Sequence, residues 1–174
     1  MKKYLVIGNP IEHSLSPLIH NHWMKKYHLA ESVYEKRKVE EKDLKNIIKE
    51  IRKDEIVGVN ITVPFKKLII PFLDELDFSA VETQSVNTLF KINSKIIGYN
   101  TDRAGFWDTI RKFYPSSNDS MMPLPLEGKR ILILGAGGVT ASIICALKDE
   151  GANNIILSNR TKEKASELKK LFPE

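Results

Sequence analysis

Short β-favouring runs alternate with stretches of helical periodicity along nearly the whole chain, and this alternation constrains the fold more than any single motif. Residues 3–8, 33–39 and 56–63 read as strands, with helices expected over 16–28, 41–53 and 65–73. A short helix is expected over 78–83. Residues 86–91 and 95–98 read as a hairpin turning at Asn93-Ser94, and a helix over 102–113 follows. Parallel neighbours need a crossover, which a helix supplies, so the succession predicts a mostly parallel α/β sheet.

Residues 115–128 break every periodicity and read as a linker loop. A second unit is expected beyond it: strand 130–134, helix 138–149, strand 154–158, helix 161–172. The expected organisation is an α/β domain over 1–114 that ends in a linking helix, the linker 115–128, and the first half of a Rossmann-type unit over 129–174. A complete unit of that type has two βαβαβ halves, and too few residues follow Gly128 for both. The sequence is therefore expected to be a fragment, or to be completed by another chain.

Composition narrows the function classes. The 174 residues are 42% hydrophobic and 28% charged, enough apolar content for a packed core. No apolar run approaches the ~20 residues of a membrane-spanning helix, so no membrane partner is expected. Tyr4-Leu5-Val6-Ile7-Gly8 is too short for a signal-peptide core and reads as a first strand. The net charge is +5, but the cations are interspersed with acids, as in Glu40-Glu41-Lys42-Asp43-Leu44-Lys45. Such patterns are solvated helix faces. Nucleic acid is not expected as a partner, whereas anionic small molecules suit a mildly basic surface. The single cysteine, Cys145, leaves no intramolecular disulfide and fits a reducing cytoplasm. Its apolar helical neighbours predict a buried, inert thiol. His13, His20, His22 and His28 crowd the N-terminal region without a metal-ligand pattern, so no metal is expected.

The chemistry concentrates at element ends. In Asn60-Ile61-Thr62-Val63-Pro64-Phe65-Lys66, alternation puts Asn60 and Thr62 on one face of a strand. Pro64 stops pairing, and Lys66 follows at the strand's C-terminal mouth, where open α/β sheets bind ligands. A lysine there can give a proton to a small polar substrate. Ser14-Leu15-Ser16-Pro17 reads either as a helix N-cap followed by Pro, or as hydroxyls placed to hold a carboxylate. Ser85-Val86-Asn87-Thr88 and Gly98-Tyr99-Asn100-Thr101-Asp102 set further polar groups at element ends. Asp102 reads as a helix cap or as a partner that orients a lysine.

Ile131-Leu132-Ile133-Leu134 runs into Gly135-Ala136-Gly137-Gly138, a strand, a glycine turn and a helix start suited to a pyrophosphate. Thr140 stands where a third Gly or Ala is usual. The next strand ends in Ser158-Asn159-Arg160-Thr161, with no acid to meet a ribose 2′-hydroxyl. Arg160, with Lys164 one helical turn on, suits a 2′-phosphate and points to NADP. Alternatively, Arg160 is an exposed helix-start residue, and Asn159 or Thr161 a cap.

In this order, these six motifs resemble the shikimate/quinate dehydrogenase family across the chain. The resemblance implies reversible, NADP-dependent reduction of 3-dehydroshikimate to shikimate, on the route to chorismate and the aromatic amino acids. It implies that Ser14 and Ser16 hold the substrate carboxylate, and that Thr62, Asn87 and Asp102 bind its hydroxyls, with Asn60 and Thr101 in support. Lys66 and Asp102 would be the catalytic pair. Gly135, Ala136, Gly137 and Gly138 would hold the pyrophosphate, and Asn159, Arg160, Thr161 and Lys164 the 2′-phosphate. A cytoplasmic enzyme and a homodimer are expected. Two alternatives accompany this reading: a non-catalytic shikimate-binding module, since the family's C-terminal part is missing, or an enzyme that also takes quinate. Arg103 replaces the Gly that often follows the Asn-Thr-Asp motif, and is expected to crowd or charge the cleft edge.

Overall fold

The computed structural model describes residues 1–114 and 125–173 and divides into two units, Met1–Asn100 and Thr101–Glu174. In the first, β1 (Lys2–Gly8), α1 (Ser16–Lys26), β2 (Ser32–Lys38), α2 (Leu44–Arg52), β3 (Gly58–Ile61), α3 (Phe65–Leu68), β4 (Glu75–Leu76), α4 (Phe78–Thr83), β5 (Thr88–Ile92) and β6 (Lys95–Tyr99) follow one another. The strands form one sheet in the order β2-β1-β3-β5-β6-β4. β1 pairs in parallel with β2 and β3, and β4 with β6. Only β5 is reversed, antiparallel to both β3 and β6. The expected mostly parallel sheet is therefore present, with the hairpin as its exception.

The elements follow from local sequence. α2 buries Leu44, Ile47, Ile48 and Ile51, a stripe at i, i+3, i+4 and i+7. Each such side chain contributes about 1.5–3 kcal/mol on burial. The last four residues of β1 are all buried, as expected of an inner strand covered on both faces. Where a helix was predicted over 65–73, Pro71 divides it into α3 and a 3₁₀ turn at Ile70–Phe72. The two-residue edge strand β4 carries too little pattern to be read from sequence. β5 and β6 turn through Asn93 (φ 47°) and Ser94 (φ 71°), the double positive φ of a type I′ hairpin. α1 ends in a Schellman cap: Leu29 N–H donates to Met24 O and His28 N–H to Lys25 O, with His28 left-handed at φ 55°.

The second unit contains α5 (Asp102–Phe113), β7 (Arg130–Leu134), α6 (Thr140–Asp149), β8 (Asn154–Ser158) and α7 (Lys162–Leu171). β7 and β8 pair in parallel, Arg130 opposite Asn154 through Leu134 opposite Ser158. α5 groups here, whereas the sequence reading attached it to the first domain as a linking helix. Ile110 of α5 packs in one cluster with Leu126, Leu147 and Ala152. The predicted linker lies outside the described residues over 115–124. Its remainder is folded: Leu126 is buried and its N–H donates to Glu150 O.

Arg103 has a partner within its own unit. Its Nε and Nη2 donate to the two carboxylate oxygens of Asp149, at 3.0 and 2.8 Å, so the guanidinium clamps α5 to α6. Cys145 is buried on α6, and burial pushes its thiol pKa up. Among the described residues, the β7-β8 sheet is covered on one face only. Leu132, Leu134 and Ile156 stay exposed on the other, although the unbroken apolar run of β7 suits a strand buried on both sides. Among the described residues, no helix is long and apolar enough to cross a membrane, and no three His, Cys, Asp or Glu side chains group to hold a metal ion.

Candidate functional site

In the first unit the C-terminal ends of β1 and β3 open together. Thr62 N–H donates to Ile7 O and Asn9 N–H to Val63 O, so the segment after β3 continues beside β1. A Cβ on Gly8 would lie 2.5 Å from Thr62 Cγ2 and 3.1 Å from Val63 O, so only Gly fits under the Thr62 side chain. Phe65 N–H then donates to Thr62 O, turning the chain into α3, where Lys66 is half-buried. Lys66 O accepts from Val86 N–H at 2.8 Å, and Ile61 N–H donates to Asn87 O at 2.8 Å. The backbone thus brings Thr62, Lys66 and Asn87 to one mouth.

Asn87 is buried at 8% exposure. Asn60 Nδ2 donates to Asn87 O (3.3 Å) and Thr88 Oγ1 (2.9 Å), and Thr88 Oγ1 donates to Asn87 Oδ1 (2.9 Å). Asn60 Oδ1 accepts from the Tyr34 hydroxyl at 2.6 Å. Burial pushes the Tyr34 phenol up to about 12, against a hydrogen bond from Ser16 that lowers it. Ser16 is already inside α1 and Leu15 holds the cap position, with no capping side chain, which corrects the N-cap reading. Ser14 Oγ accepts from Ser16 N–H at 3.3 Å. Ser14, Ser16, Asn60, Thr62, Lys66 and Asn87 are thus tied together within one unit.

A second network fixes the chain on either side of this mouth. Asp77 Oδ1 accepts from the N–H and hydroxyl of Ser79, which hold its carboxyl below the usual carboxylate range. Ser79 Oγ accepts from Asn100 N–H, and the buried Asn100 amide donates to Thr83 Oγ1 and Ser85 O. Asn100 thereby pins the end of β6 to the residue two before Asn87. Tyr34, Thr88 and Asn100 were not among the predicted site residues. Thr88 and Asn100 stood inside motifs already singled out, and the signal for Tyr34 was a lone aromatic in a β2 that is otherwise polar and charged apart from Val33.

In the second unit Thr101 holds the cap position of α5 and Asp102 is its first residue. The glycine turn joins β7 to α6. Gly135 has φ 111°, its N–H donates to Ser158 O, and a Cβ on Gly137 would meet nothing within 4 Å. Thr140 is buried and its hydroxyl donates to Gly135 O at 3.1 Å, so the residue that replaces the usual third glycine tightens the turn. Asn159 Oδ1 accepts from Ala136 N–H, and its Nδ2 donates to Thr161 O. Its amide braces the glycine turn against the β8 tip. Arg160 and Lys164 are exposed at and just beyond that tip. An open glycine turn at a helix start, with two cations beyond the neighbouring strand, fits a phosphate-bearing dinucleotide.

An α/β unit with a lysine at its strand mouth, followed by a Rossmann-type unit with a glycine turn, defines the class: a two-domain protein of dehydrogenase architecture. Residues 6–89 match the family model described as shikimate dehydrogenase substrate binding domain, and residues 119–174 that described as shikimate / quinate 5-dehydrogenase. The chain belongs to the shikimate dehydrogenase family. It is 53% identical, over 99% of its length, to the NADP(+) shikimate dehydrogenase of Pelagibacter ubique, and spans 62% of that relative. The shikimate dehydrogenase structure from Aquifex aeolicus superposes with a TM-score of 0.86 at 39% identity, covering 99% of this chain and 61% of the other. That from Thermus thermophilus, in complex with NADP(H) and shikimate, gives 0.82 at 31% identity, over 99% and 61%.

Proposed function

We propose that this chain carries the substrate pocket and part of the cofactor site of an NADP-dependent shikimate dehydrogenase, which reduces 3-dehydroshikimate reversibly to shikimate. The observation that carries this reading is the mouth of β3, where Lys66 and the Asn60–Asn87 network meet in a chain 53% identical to such an enzyme. Ser14 and Ser16 hold the substrate carboxylate, and Thr62, Asn87 and Asp102 its hydroxyls, with Asn60 and Thr101 in support. Lys66 gives a proton to the carbonyl oxygen as negative charge develops there, and Asp102 orients the lysine. Bound NADPH would supply the hydride. Gly135, Ala136, Gly137 and Gly138 line its pyrophosphate, and Arg160 and Lys164 meet its 2′-phosphate, with Asn159 and Thr161 shaping that corner. A cytoplasmic setting and a homodimer belong to the same proposal, and sedimentation velocity tests the latter.

Turnover of shikimate and NADP, followed by nicotinamide absorbance, tests the reading. Lys66→Ala in the full-length protein is expected to lower kcat by at least about a hundredfold with little change in KM. A loss confined to KM would make Lys66 a binding residue only. Arg160→Ala is expected to weaken NADP about tenfold more than NAD; equal losses would remove the 2′-phosphate assignment. A second reading is a module that binds shikimate without turning it over, and the exposed apolar side chains of Leu132, Leu134 and Ile156 favour it. Measurable shikimate binding without turnover would select it. A third keeps the enzyme and adds quinate, decided by comparing turnover of the two acids.

A further inference from the structure

The polar groups of the first unit form one directed chain of hydrogen bonds, and its direction is set by an atom that cannot be reversed. Asn87 O is a backbone carbonyl and can only accept, so the group of Asn60 that faces it at 3.3 Å is the NH₂. Asn60 Oδ1 must then face Tyr34, and the phenol at 2.6 Å must donate. Thr88 Oγ1 accepts from Asn60 Nδ2 and donates its one proton to Asn87 Oδ1 at 2.9 Å. With Oδ1 so engaged, the Asn87 amide is turned to present Nδ2 elsewhere. Tyr34 is itself held: Asn21 grips its backbone N–H and carbonyl at 3.0 and 2.8 Å, and the His20 ring stacks on it at 4.2 Å between centroids. Its phenol, pushed up to about 12, stays a protonated donor throughout the neutral range.

We propose that Tyr34 is a positioning residue of this pocket, fixing the Asn60 amide and, through Thr88, the Asn87 amide in one orientation before ligand binds. This rests on the functional reading only in naming the ligand as a hydroxylated cyclic acid. The relay itself is a property of the free chain.

The test is Tyr34→Phe, which keeps the ring under His20 and removes only the hydroxyl. The side-chain amide ¹H–¹⁵N resonances of Asn60 and Asn87 in the unliganded chain are expected to move together. The shift at Asn87 is expected to vanish when Tyr34→Phe is made in an Asn60→Ala background. Shikimate affinity is expected to fall about five- to tenfold, the scale of one hydrogen bond. Thr88→Val cuts the same relay nearer Asn87 without touching the Tyr34 ring, and serves if Tyr34→Phe does not fold. It is expected to move Asn87 alike. An unmoved Asn87 amide in the folded variants, or an equal shift in the Asn60→Ala background, would overturn the relay. If the unmutated chain binds no shikimate, the functional reading fails, and the amide resonances still decide the relay.

Discussion

Arg111 and Glu150 join α5 to the end of α6 through one contact whose removal can be read directly. Arg111 Nε donates to Glu150 Oε1 at 2.9 Å, with the Glu150 side chain 1% exposed and the Arg111 side chain 46%. The guanidinium also lies 3.7 Å from the centroid of the Trp107 ring. Truncation to Ala removes one cation from a buried carboxylate. Breaking a fully buried pair costs about 3–5 kcal/mol, and the half exposure of Arg111 cuts that to about 2. Glu150 has further interactions, which limit the loss. The lost cation–π contact adds about 0.5–1 kcal/mol. Arg111→Ala is therefore expected to destabilise the second unit by about 2–3 kcal/mol, roughly 10–15 °C in Tm for a unit of this size. The chain has two tryptophans, so urea unfolding in a Trp23→Phe background reports on Trp107 alone. Glu150→Gln removes the charge from the other side. The double variant is expected to lose at least about 1 kcal/mol less than the sum of the two. Additive losses, or a cost under about 0.5 kcal/mol for Arg111→Ala, would refute the reasoning.

Two further outcomes are expected. Ser94→Gly relieves a left-handed non-glycine residue in the type I′ turn, and is expected to raise the stability of the first unit by about 0.5–1 kcal/mol in a urea melt; a loss would show that the Ser94 side chain stabilises the turn. Burial of His20 lowers its pKa, so the folded chain disfavours the charged ring. Stability from this group is complete above the unfolded value, near 6.5, and is lost as pH falls through the lower folded value. Melts of the first unit between pH 7.5 and 5 are expected to show that acid-side loss, and His20→Phe to reduce it; an unchanged slope would place its origin elsewhere.

Much of the site was legible because its signals are local. Asn60 to Lys66 announce a strand, a stop and a cation, and the structure sets Lys66 just past β3 as that pattern implies. The glycine turn, too, is a local backbone requirement, met by Gly135 at φ 111°. Other parts were not legible because they join distant residues. Arg103 looked like a charge at the cleft edge, and only folding brings it to Asp149 on α6. Ser16 looked like a cap, and only the folded backbone shows Leu15 in that position with Ser16 already inside α1.

The sequence by itself determined the periodicities, and with them the order of strands and helices and the motifs at their ends, since these depend on neighbours along the chain. The tertiary structure alone decided the pairing of β5 with β3, the exposed face of β7-β8, and the relay from Tyr34 to Asn87. Strand register and side-chain amide direction depend on which distant groups must donate and which can only accept.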